Sequence, residues 1–298
     1  MKWNTSTKEF ENFLKFERNL SKNTISSYLS DLKKLIEYLN QKNINYRPNQ
    51  ISTDLIREFL YSQSKKIKSS TQGRLISSLN LFFDFMILEK IIVENPLEKI
   101  DYPKIGTSIP TTLTTKEIDS LIAEAGLNKN NGLRNKTIIE VLYSCGLRVS
   151  ELIDLKISDL FLDENLIKVL GKGNKERFVP VSKTAKKLIV EYIESIRNFK
   201  KIKKSHEDTL FINNRGKKLT RVMIYTILNN LANHIGLKKK ISPHVLRHSF
   251  ATHLIENGAD IISIQKMMGH ENIVTTEKYL HVKSKHLIDS VLKYHPRS

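Results

Sequence analysis

The chain has 298 residues, of which 40% are hydrophobic and one is a cysteine, and it carries a formal net charge of +18 with a pI near 9.7. The single cysteine, Cys145, excludes an internal disulfide, and the most apolar stretch, residues 79–90, is interrupted by Asp84 and too short to span a bilayer. A disulfide scaffold and a membrane-spanning protein are therefore excluded, and we expect a cytoplasmic protein of two domains.

The positive charge is spread over the whole chain. Residues 1–107 contain 17 Lys and Arg against 12 Asp and Glu, and residues 108–298 contain 32 against 19, so the two parts carry +5 and +13. A charged tail would concentrate the excess in one run, whereas two basic domains favour a surface that follows a polyanion. Nucleic acid is the expected partner, and a basic surface that only keeps the protein soluble is the alternative.

The first 107 residues predict four helices with short connections. Apolar residues recur at helical spacing in residues 4–17, 22–43, 52–65 and 69–90, and Ser21 is a helix N-cap. The second and fourth helices also carry small polar and basic residues of the kind that contacts phosphates, although solvated helix faces look the same: Ser26, Ser27, Lys33, Lys34, Thr71, Gln72 and Arg74.

A linker is predicted at residues 95–113. This stretch contains three prolines and one glycine and has no helical period. It divides the chain into two domains, which we assign to residues 1–107 and 108–298.

The second domain opens with two predicted helices, residues 114–126 and 135–146. Arg148 is the first strongly polar residue after Gly146, which ends the second of these helices. A residue just past a helix end can project into a cleft, so Arg148 is a candidate site residue. An ordinary ion pair with Glu151, three residues further on, is the alternative.

Residues 166–181 predict a β-hairpin. Apolar and polar residues alternate on both sides of a glycine-rich tip that contains Lys172. Glycines on both sides of Lys172 allow close approach of the backbone to a ligand, whereas a solvated lysine is the alternative. A helix at 182–199, a short strand at 208–212 and a helix at 220–236 are predicted to follow.

Residues 241–281 predict three short helices separated by glycines. The first begins after Ser242-Pro243, and Gly258 and Gly269 end the first and the second. Two helix ends in so short a span can bring four side chains around one small volume, which would be cationic and contain one phenol: His244, Arg247, His270 and Tyr279.

A metal site is the alternative for this region, because His244 and His248 have the spacing of ligands on a zinc-binding helix. The residues between them are Val-Leu-Arg, without the glutamate of an H-E-x-x-H motif, and a guanidinium would repel a divalent cation. We expect no metal or other cofactor. Ordinary structural or surface roles are expected for His253, His281 and His286.

The sequence contexts of six of these residues resemble the tyrosine recombinase (phage integrase-like) family, and within it the Xer subgroup. The matching phrases are GLRVSEL, GKGNKER, SPHVLRHSFATHLIENGAD and MGHENIVTTEKYLHV, with FERNLSKNTISSYLSDL near the N-terminus. Glu271 and Lys278 stand where serine and isoleucine are commoner. The matching site residues are Arg148, Lys172, His244, Arg247, His270 and Tyr279.

This resemblance implies a multidomain, mainly α-helical protein. Residues 1–107 would form a SAM-like helical core-binding domain that contacts DNA, and residues 108–298 an α+β catalytic domain with a small antiparallel sheet. The implied activity is site-specific recombination that resolves chromosome dimers at cell division. Integration of a mobile element, DNA relaxation of the type IB topoisomerase kind, and DNA binding without catalysis are the alternatives.

The resemblance also implies partners and roles. Four protomers, identical or paired with a second recombinase, would act on two double-stranded DNA sites, and the last residues of each chain would pack onto a neighbouring protomer. A divisome-linked DNA translocase is a possible activator at the nucleoid. Tyr279 would be the nucleophile, Lys172 the acid for the leaving 5′ oxygen, and the two arginines and two histidines the donors to phosphate oxygens, without ATP or metal.

Overall fold

The structure is a computed structural model, and it describes residues 2–103, 111–128, 130–171, 175–269, 291 and 293–297. The chain forms two compact units, Met1–Ser108 and Ile109–Ser298. The predicted boundary between residues 107 and 108 lies outside the described residues and stays a prediction. No helix within the described ranges is both long and apolar enough to cross a membrane.

The described residues of the first unit contain four α-helices, which confirms the predicted helical domain. A π-helical turn, Phe13–Glu17, extends the first helix. The second helix starts where Ser21 Oγ accepts a hydrogen bond from the Thr24 N–H at 3.2 Å, and the third starts where Ser52 Oγ accepts one from Leu55 at 3.3 Å. The helices are α1 Trp3–Asn12, α2 Lys22–Gln41, α3 Thr53–Ser64 and α4 Ser69–Leu88.

The core of the first unit is rich in phenylalanine. Phe82 of α4 packs edge-on against Phe10 of α1, with 5.2 Å between ring centroids, and Phe83 lies 5.2 Å from Phe82. All three side chains are fully buried. Aromatic rings in this geometry contribute more than their buried area alone, so they fix α1 against α4.

One buried carboxylate joins α2 to α4. Asp31 accepts hydrogen bonds from both Nη atoms of Arg74, from Lys34 Nζ at 2.9 Å and from Ser78 Oγ at 3.1 Å. A buried carboxylate is tolerated only when such donors surround it. Arg74 and Lys34, two of the predicted phosphate contacts, are therefore oriented by the same acidic group.

The second unit contains seven α-helices and one small sheet in its described residues, and this confirms the predicted α+β composition. Nearly every residue of the helix after Asn131 is buried, so that helix forms the centre of the unit. The helices are α5 Thr115–Gly126, α6 Gly132–Ser144, α7 Val149–Asp154, α8 Lys183–Tyr192, α9 Arg221–His234, α10 Pro243–Glu256 and α11 Ile261–Met268.

The sheet has three antiparallel strands in the order β1 Leu160–Phe161, β2 Leu166–Leu170 and β3 Glu176–Pro180. Strands β2 and β3 form the predicted hairpin, with Leu170 opposite Glu176. At its tip, Gly171 N–H donates to the Lys175 carbonyl at 2.8 Å. Lys172 itself lies outside the described residues.

The prediction of a strand at residues 208–212 is wrong. This segment forms only two isolated bridges, Lys156 with Thr209 and Ile212 with Lys218. The Leu210 N–H donates to the Leu155 carbonyl at 2.9 Å as part of the first bridge, and the Thr209 carbonyl accepts from the guanidinium of Arg197. At Thr209 a side chain therefore satisfies the backbone carbonyl, and the pairing does not extend into a strand.

The described residues near the C-terminus pack onto the second unit of their own chain. Val291 and His295 are buried. The imidazole of His295 lies 4.8 Å from the ring of Tyr143 and 5.3 Å from that of Phe250, measured between centroids. The packing on a neighbouring protomer that the resemblance implied stays a prediction.

Burial lowers the pKa of His295 to about 3, and the nearby His253 and Arg297 add to the shift. Its unfolded pKa is near 6.5. Acidification below that value protonates the unfolded chain first, so the stability present above pH 6.5 is lost as pH falls toward 3. We expect a loss of about 1 kcal/mol between pH 7 and pH 5.5 from this group.

The measurement is urea unfolding at the two pH values. Circular dichroism reports both units, and the fluorescence of Trp3, the only tryptophan, reports the first. His295→Asn keeps an acceptor for the Arg297 N–H, which now donates to His295 Nδ1 at 3.1 Å. The variant should show a shallower pH dependence of the second unit, and equal slopes in both proteins would contradict the assignment.

Candidate active site

A tight turn between α6 and α7 carries Arg148 close to α10. Gly146 has a φ of +58°, and a Cβ atom on it would lie 2.5 Å from Cδ1 of Phe250 in α10. Only glycine can adopt this positive φ without strain and also leave room for the ring of Phe250. The chain passes against α10 at this point and then begins α7, with Arg148 as the N-cap residue.

Glu151 in the first turn of α7 binds Arg148 in two ways. Its Oε2 accepts the backbone N–H of Arg148 at 2.8 Å, and its Oε1 accepts from Nη1 at 2.9 Å. The ion pair that was the alternative interpretation of Arg148 therefore exists. It does not occupy the whole guanidinium, because Nη2 donates to the Gly269 carbonyl at 3.1 Å.

Arg177 of β3 holds the same carboxylate. Its Nη1 and Nη2 donate to Oε1 and Oε2 of Glu151 at 2.8 and 2.9 Å. Burial alone would raise the pKa of the Glu151 carboxyl, but the hydrogen bonds and charges of Arg177, with those of Arg148, outweigh it and hold the pKa below its ordinary value. Glu151 is therefore an anion at neutral pH.

Arg247 projects from α10 toward the same place. The helix begins at Ser242, whose Oγ accepts the Val245 N–H at 3.3 Å. Arg247 Nη1 donates to the Gly146 carbonyl at 2.6 Å and lies 3.8 Å from Oε2 of Glu151. Burial, with the charge of Arg148, lowers the pKa of Arg247 to about 10, so it remains a cation at neutral pH.

Three arginines meet at the C-terminal end of α11, where consecutive carbonyl groups point out of the helix. Each carbonyl accepts from a different arginine, and Gly269, with a φ of +63°, ends the helix. The pairs are Arg177 Nε with Met267 O at 2.9 Å, Arg247 Nη2 with Met268 O, and Arg148 Nη2 with Gly269 O at 3.1 Å.

We call Arg148, Arg177 and Arg247, together with Glu151, the arginine cluster. Three guanidinium groups face one carboxylate, so the cluster has two positive charges in excess. The side chain of Arg148 is 34% exposed, against 14% for Arg177 and 5% for Arg247. The cluster can therefore bind an anion that offers two oxygen atoms to a guanidinium. Arg148 is the most accessible of the three for such an anion.

The structure brings together two of the six predicted site residues, Arg148 and Arg247. His244 is exposed in the first turn of α10, three residues before Arg247 and so on the same side of the helix. Lys172, His270 and Tyr279 lie outside the described residues. The catalytic roles of all six remain proposals.

The other histidines of α10 are accounted for separately. His253 is buried, and its Nδ1 is hydrogen-bonded to the hydroxyl of Tyr143 at 2.8 Å, so it serves the core. His248 is half-buried. In the described part of the chain, no three His, Cys, Asp or Glu side chains gather as metal ligands would.

Glu151 and Arg177 are the site residues that sequence reasoning missed. Glu151 was considered only as an alternative partner that would make Arg148 ordinary. The available signal for Arg177 was its position five residues after Lys172 in the predicted hairpin. Nothing local indicated that its side chain reaches α7 and α11.

Comparison with known proteins gives matches over both units. Residues 111–286 match the model of the phage integrase family, and residues 7–90 match the model of its N-terminal SAM-like domain. The tyrosine recombinase XerD of Oceanobacillus iheyensis is 43% identical over 291 residues, which cover 97% of this chain and 98% of that protein.

Solved structures give the same result. XerH site-specific recombinase, in a post-cleavage complex with a palindromic difH substrate, is similar with a TM-score of 0.70 and 25% identity, over 94% of this chain and 84% of that one. The Tn1549 transposon integrase, in complex with a circular intermediate DNA, has a TM-score of 0.72 at 20% identity, over 95% and 99% of the two chains. The second likeness concerns the fold alone.

Proposed function

This chain belongs to the phage integrase family of tyrosine recombinases, which are DNA strand-exchange enzymes, and from that premise we propose that Tyr279 attacks a DNA phosphodiester to form a 3′-phosphotyrosyl intermediate. The arginine cluster is the observation that carries the proposal. Arg148 and Arg247 direct Nη2 donors at two consecutive oxygens, those of Gly269 and Met268. Two guanidiniums aimed at neighbouring oxygens suit the nonbridging oxygens of a phosphate.

A phosphate can replace the carbonyl groups that now accept from the two arginines. Anionic oxygens accept stronger hydrogen bonds than peptide carbonyls do. Negative charge grows on the nonbridging oxygens as the phenol oxygen attacks, so the arginines stabilise the transition state more than the ground state. Glu151 keeps Arg148 oriented and supplies less than half of the charge needed to neutralise the cluster.

The remaining roles follow from the chemistry of each side chain. Tyr279 supplies the nucleophilic oxygen, and the bond to phosphorus conserves the energy needed for religation, so ATP is not required. Lys172 gives a proton to the leaving 5′ oxygen. His244 and His270 donate further hydrogen bonds to the phosphate. These assignments rest on the sequence motifs, since three of the four residues lie outside the described ranges.

Cleavage is expected to need no divalent metal, because the arginine cluster provides the positive charge that bound metal ions provide elsewhere. A nicked suicide substrate should trap equal amounts of covalent adduct in excess EDTA and in magnesium. Peptide mapping should find the adduct on Tyr279. Loss of the adduct in EDTA with recovery in zinc would favour the metal site at His244 and His248 instead.

Double-stranded DNA is the proposed substrate, supported by charges of +5 and +13 on residues 1–107 and 108–298. We assign DNA binding to the first of these domains and catalysis to the second. The relatives named XerD support a role in resolving chromosome dimers at cell division, in the cytoplasm and at the nucleoid. Four protomers, alone or with a paired recombinase, would act on two sites, with a divisome-linked DNA translocase as the proposed activator.

Sequencing of trapped adducts from fragments of the host chromosome tests this role. Chromosome dimer resolution predicts adducts at one short chromosomal site with two related half-sites. Adducts at two unlike sites, one of them at the edge of an inserted element, would favour a mobile-element integrase. Relaxation of supercoiled DNA without any exchanged product would favour the topoisomerase alternative.

A further inference from the structure

Arg177 has no role in the chemistry described so far, yet its guanidinium contacts Glu151 of the arginine cluster and the backbone at the end of α11. We propose that Arg177 is a positioning residue, which sets the distance between the hairpin that carries Lys172 and the end of α11 that precedes His270. This inference rests on the proposed function, because it concerns the proposed acid and one proposed phosphate donor.

The first support is the set of hydrogen bonds that Arg177 makes. Nη1 and Nη2 donate hydrogen bonds to the two carboxylate oxygens of Glu151 at 2.8 and 2.9 Å, and Nε donates to the Met267 carbonyl at 2.9 Å. One rigid plane therefore ties β3 to α7 and to α11. The side chain is only 14% exposed, so solvent screens these contacts weakly.

The second support comes from two glycines that pack on the same guanidinium. A Cβ atom on Gly171 would lie 3.3 Å from Nη1 of Arg177, and a Cβ atom on Gly269 would lie 3.2 Å from its Cζ. Both distances are closer than ordinary carbon contacts. Gly171 directly precedes Lys172 in the chain, and Gly269 directly precedes His270.

The guanidinium of Arg177 therefore fixes the distance between Gly171 and Gly269, which both pack against it, while its N–H groups hydrogen-bond to Glu151 and Met267. A lysine in its place could neutralise Glu151 but could not donate in three fixed directions at once. A shift of about 1 Å in a catalytic group can cost about 10²-fold in rate. The position of Arg177 in the fold thus makes arginine, and not merely positive charge, the requirement.

The test is single-turnover cleavage by Arg177→Met and Arg177→Lys, each with an ordinary substrate and with one that has a 5′-bridging sulfur. Sulfur leaves without a proton, so it bypasses the acid. We expect Arg177→Met to cleave the ordinary substrate about 10²-fold more slowly than wild type. The ratio of sulfur to oxygen rates should rise about tenfold, because Lys172 is misplaced. Arg177→Lys should restore little of the loss.

Arg197→Met is the matched control. Arg197 is buried in the same unit, but it donates to backbone carbonyls, with Nε 3.0 Å from the Thr209 oxygen, and has no bond to Glu151. Its loss should lower thermal stability and leave the sulfur-to-oxygen ratio at the wild-type value. An unchanged ratio in Arg177→Met, with both rates falling in proportion to the folded fraction, would overturn the positioning role.

Amide hydrogen exchange tests the positioning role of Arg177 without measuring cleavage. In Arg177→Met, peptides covering β2, β3 and α11 should exchange faster than in wild type, whereas Arg197→Met should leave them unchanged. Equal exchange in wild type and Arg177→Met would also overturn the inference. Absence of any Tyr279 adduct in the wild type would instead count against the proposed function, so the two failures are distinguishable.

Discussion

Tyr279→Phe is expected to bind DNA with wild-type affinity and to form no covalent adduct. The substitution removes the nucleophilic oxygen and keeps the aromatic ring, so neither the net charge nor the arginine cluster changes. Without the phenol oxygen no bond to phosphorus can form, whichever leaving group the substrate carries. Denaturing electrophoresis of a labelled suicide substrate measures the adduct, and a mobility shift under native conditions measures binding.

Lys172→Ala is the matched variant for this experiment, because it keeps the nucleophile and removes the proposed acid. It should cleave the ordinary substrate slowly and the 5′-bridging sulfur substrate at a rate close to wild type. Tyr279→Phe should remain inactive on both. An adduct in Tyr279→Phe would identify another nucleophile, and failure of sulfur to rescue Lys172→Ala would identify another acid.

The two arginines proposed to bind the phosphate, Arg148 and Arg247, should be equally important for catalysis and unequal for stability. Arg148→Ala and Arg247→Ala are each expected to slow cleavage about 10²–10³-fold, by analogy with loss of one oxyanion donor, on either leaving group. Sulfur should not rescue them, because their loss affects the nonbridging oxygens. Rescue of either variant by sulfur would mean that this arginine acts on the leaving group.

The free energy of unfolding should differ between Arg247→Ala and Arg148→Ala. Arg247 is almost fully buried and satisfies the carbonyl groups of Gly146 and Met268, so Arg247→Ala is expected to cost about 2–3 kcal/mol in the free energy of unfolding. Arg148 is one-third exposed, and Glu151 keeps Arg177 after its removal. Arg148→Ala should therefore cost about 1 kcal/mol or less. Urea unfolding followed by circular dichroism measures both, and equal losses would contradict the difference in burial.

Local signals in the sequence predicted the elements that hold this site. Ser21 and Ser242 cap the helices that their positions indicated, and the alternation around Gly171 predicted the hairpin. These signals work because a cap or a tight turn is decided within a few residues of chain. The same locality explains why the strand at residues 208–212 was predicted wrongly, since whether pairing extends beyond two isolated bridges depends on segments distant in the sequence.

The convergence of the arginine cluster could not be predicted in this way. Glu151 and Arg177 are 26 residues apart, and Arg148 and Gly269 are 121 apart. Their contact depends on how α7, β3 and α11 pack around the core. Every residue has a backbone carbonyl, so the sequence does not indicate which carbonyls will accept from an arginine. The acceptors at Met267 and Met268 can be identified only from the structure. The resemblance identified Arg148 and Arg247, but not what holds them.

In the proposed mechanism, the carbonyl oxygens at the end of α11 make binding of the reacting phosphate an exchange of acceptors. Arg148 and Arg247 already have partners before DNA arrives, so the ground-state complex gains only the difference between a phosphate oxygen and a peptide oxygen. That difference widens when charge builds up during attack. The reacting phosphate should therefore add little to DNA affinity and much to the rate, which leaves affinity to the rest of the interface.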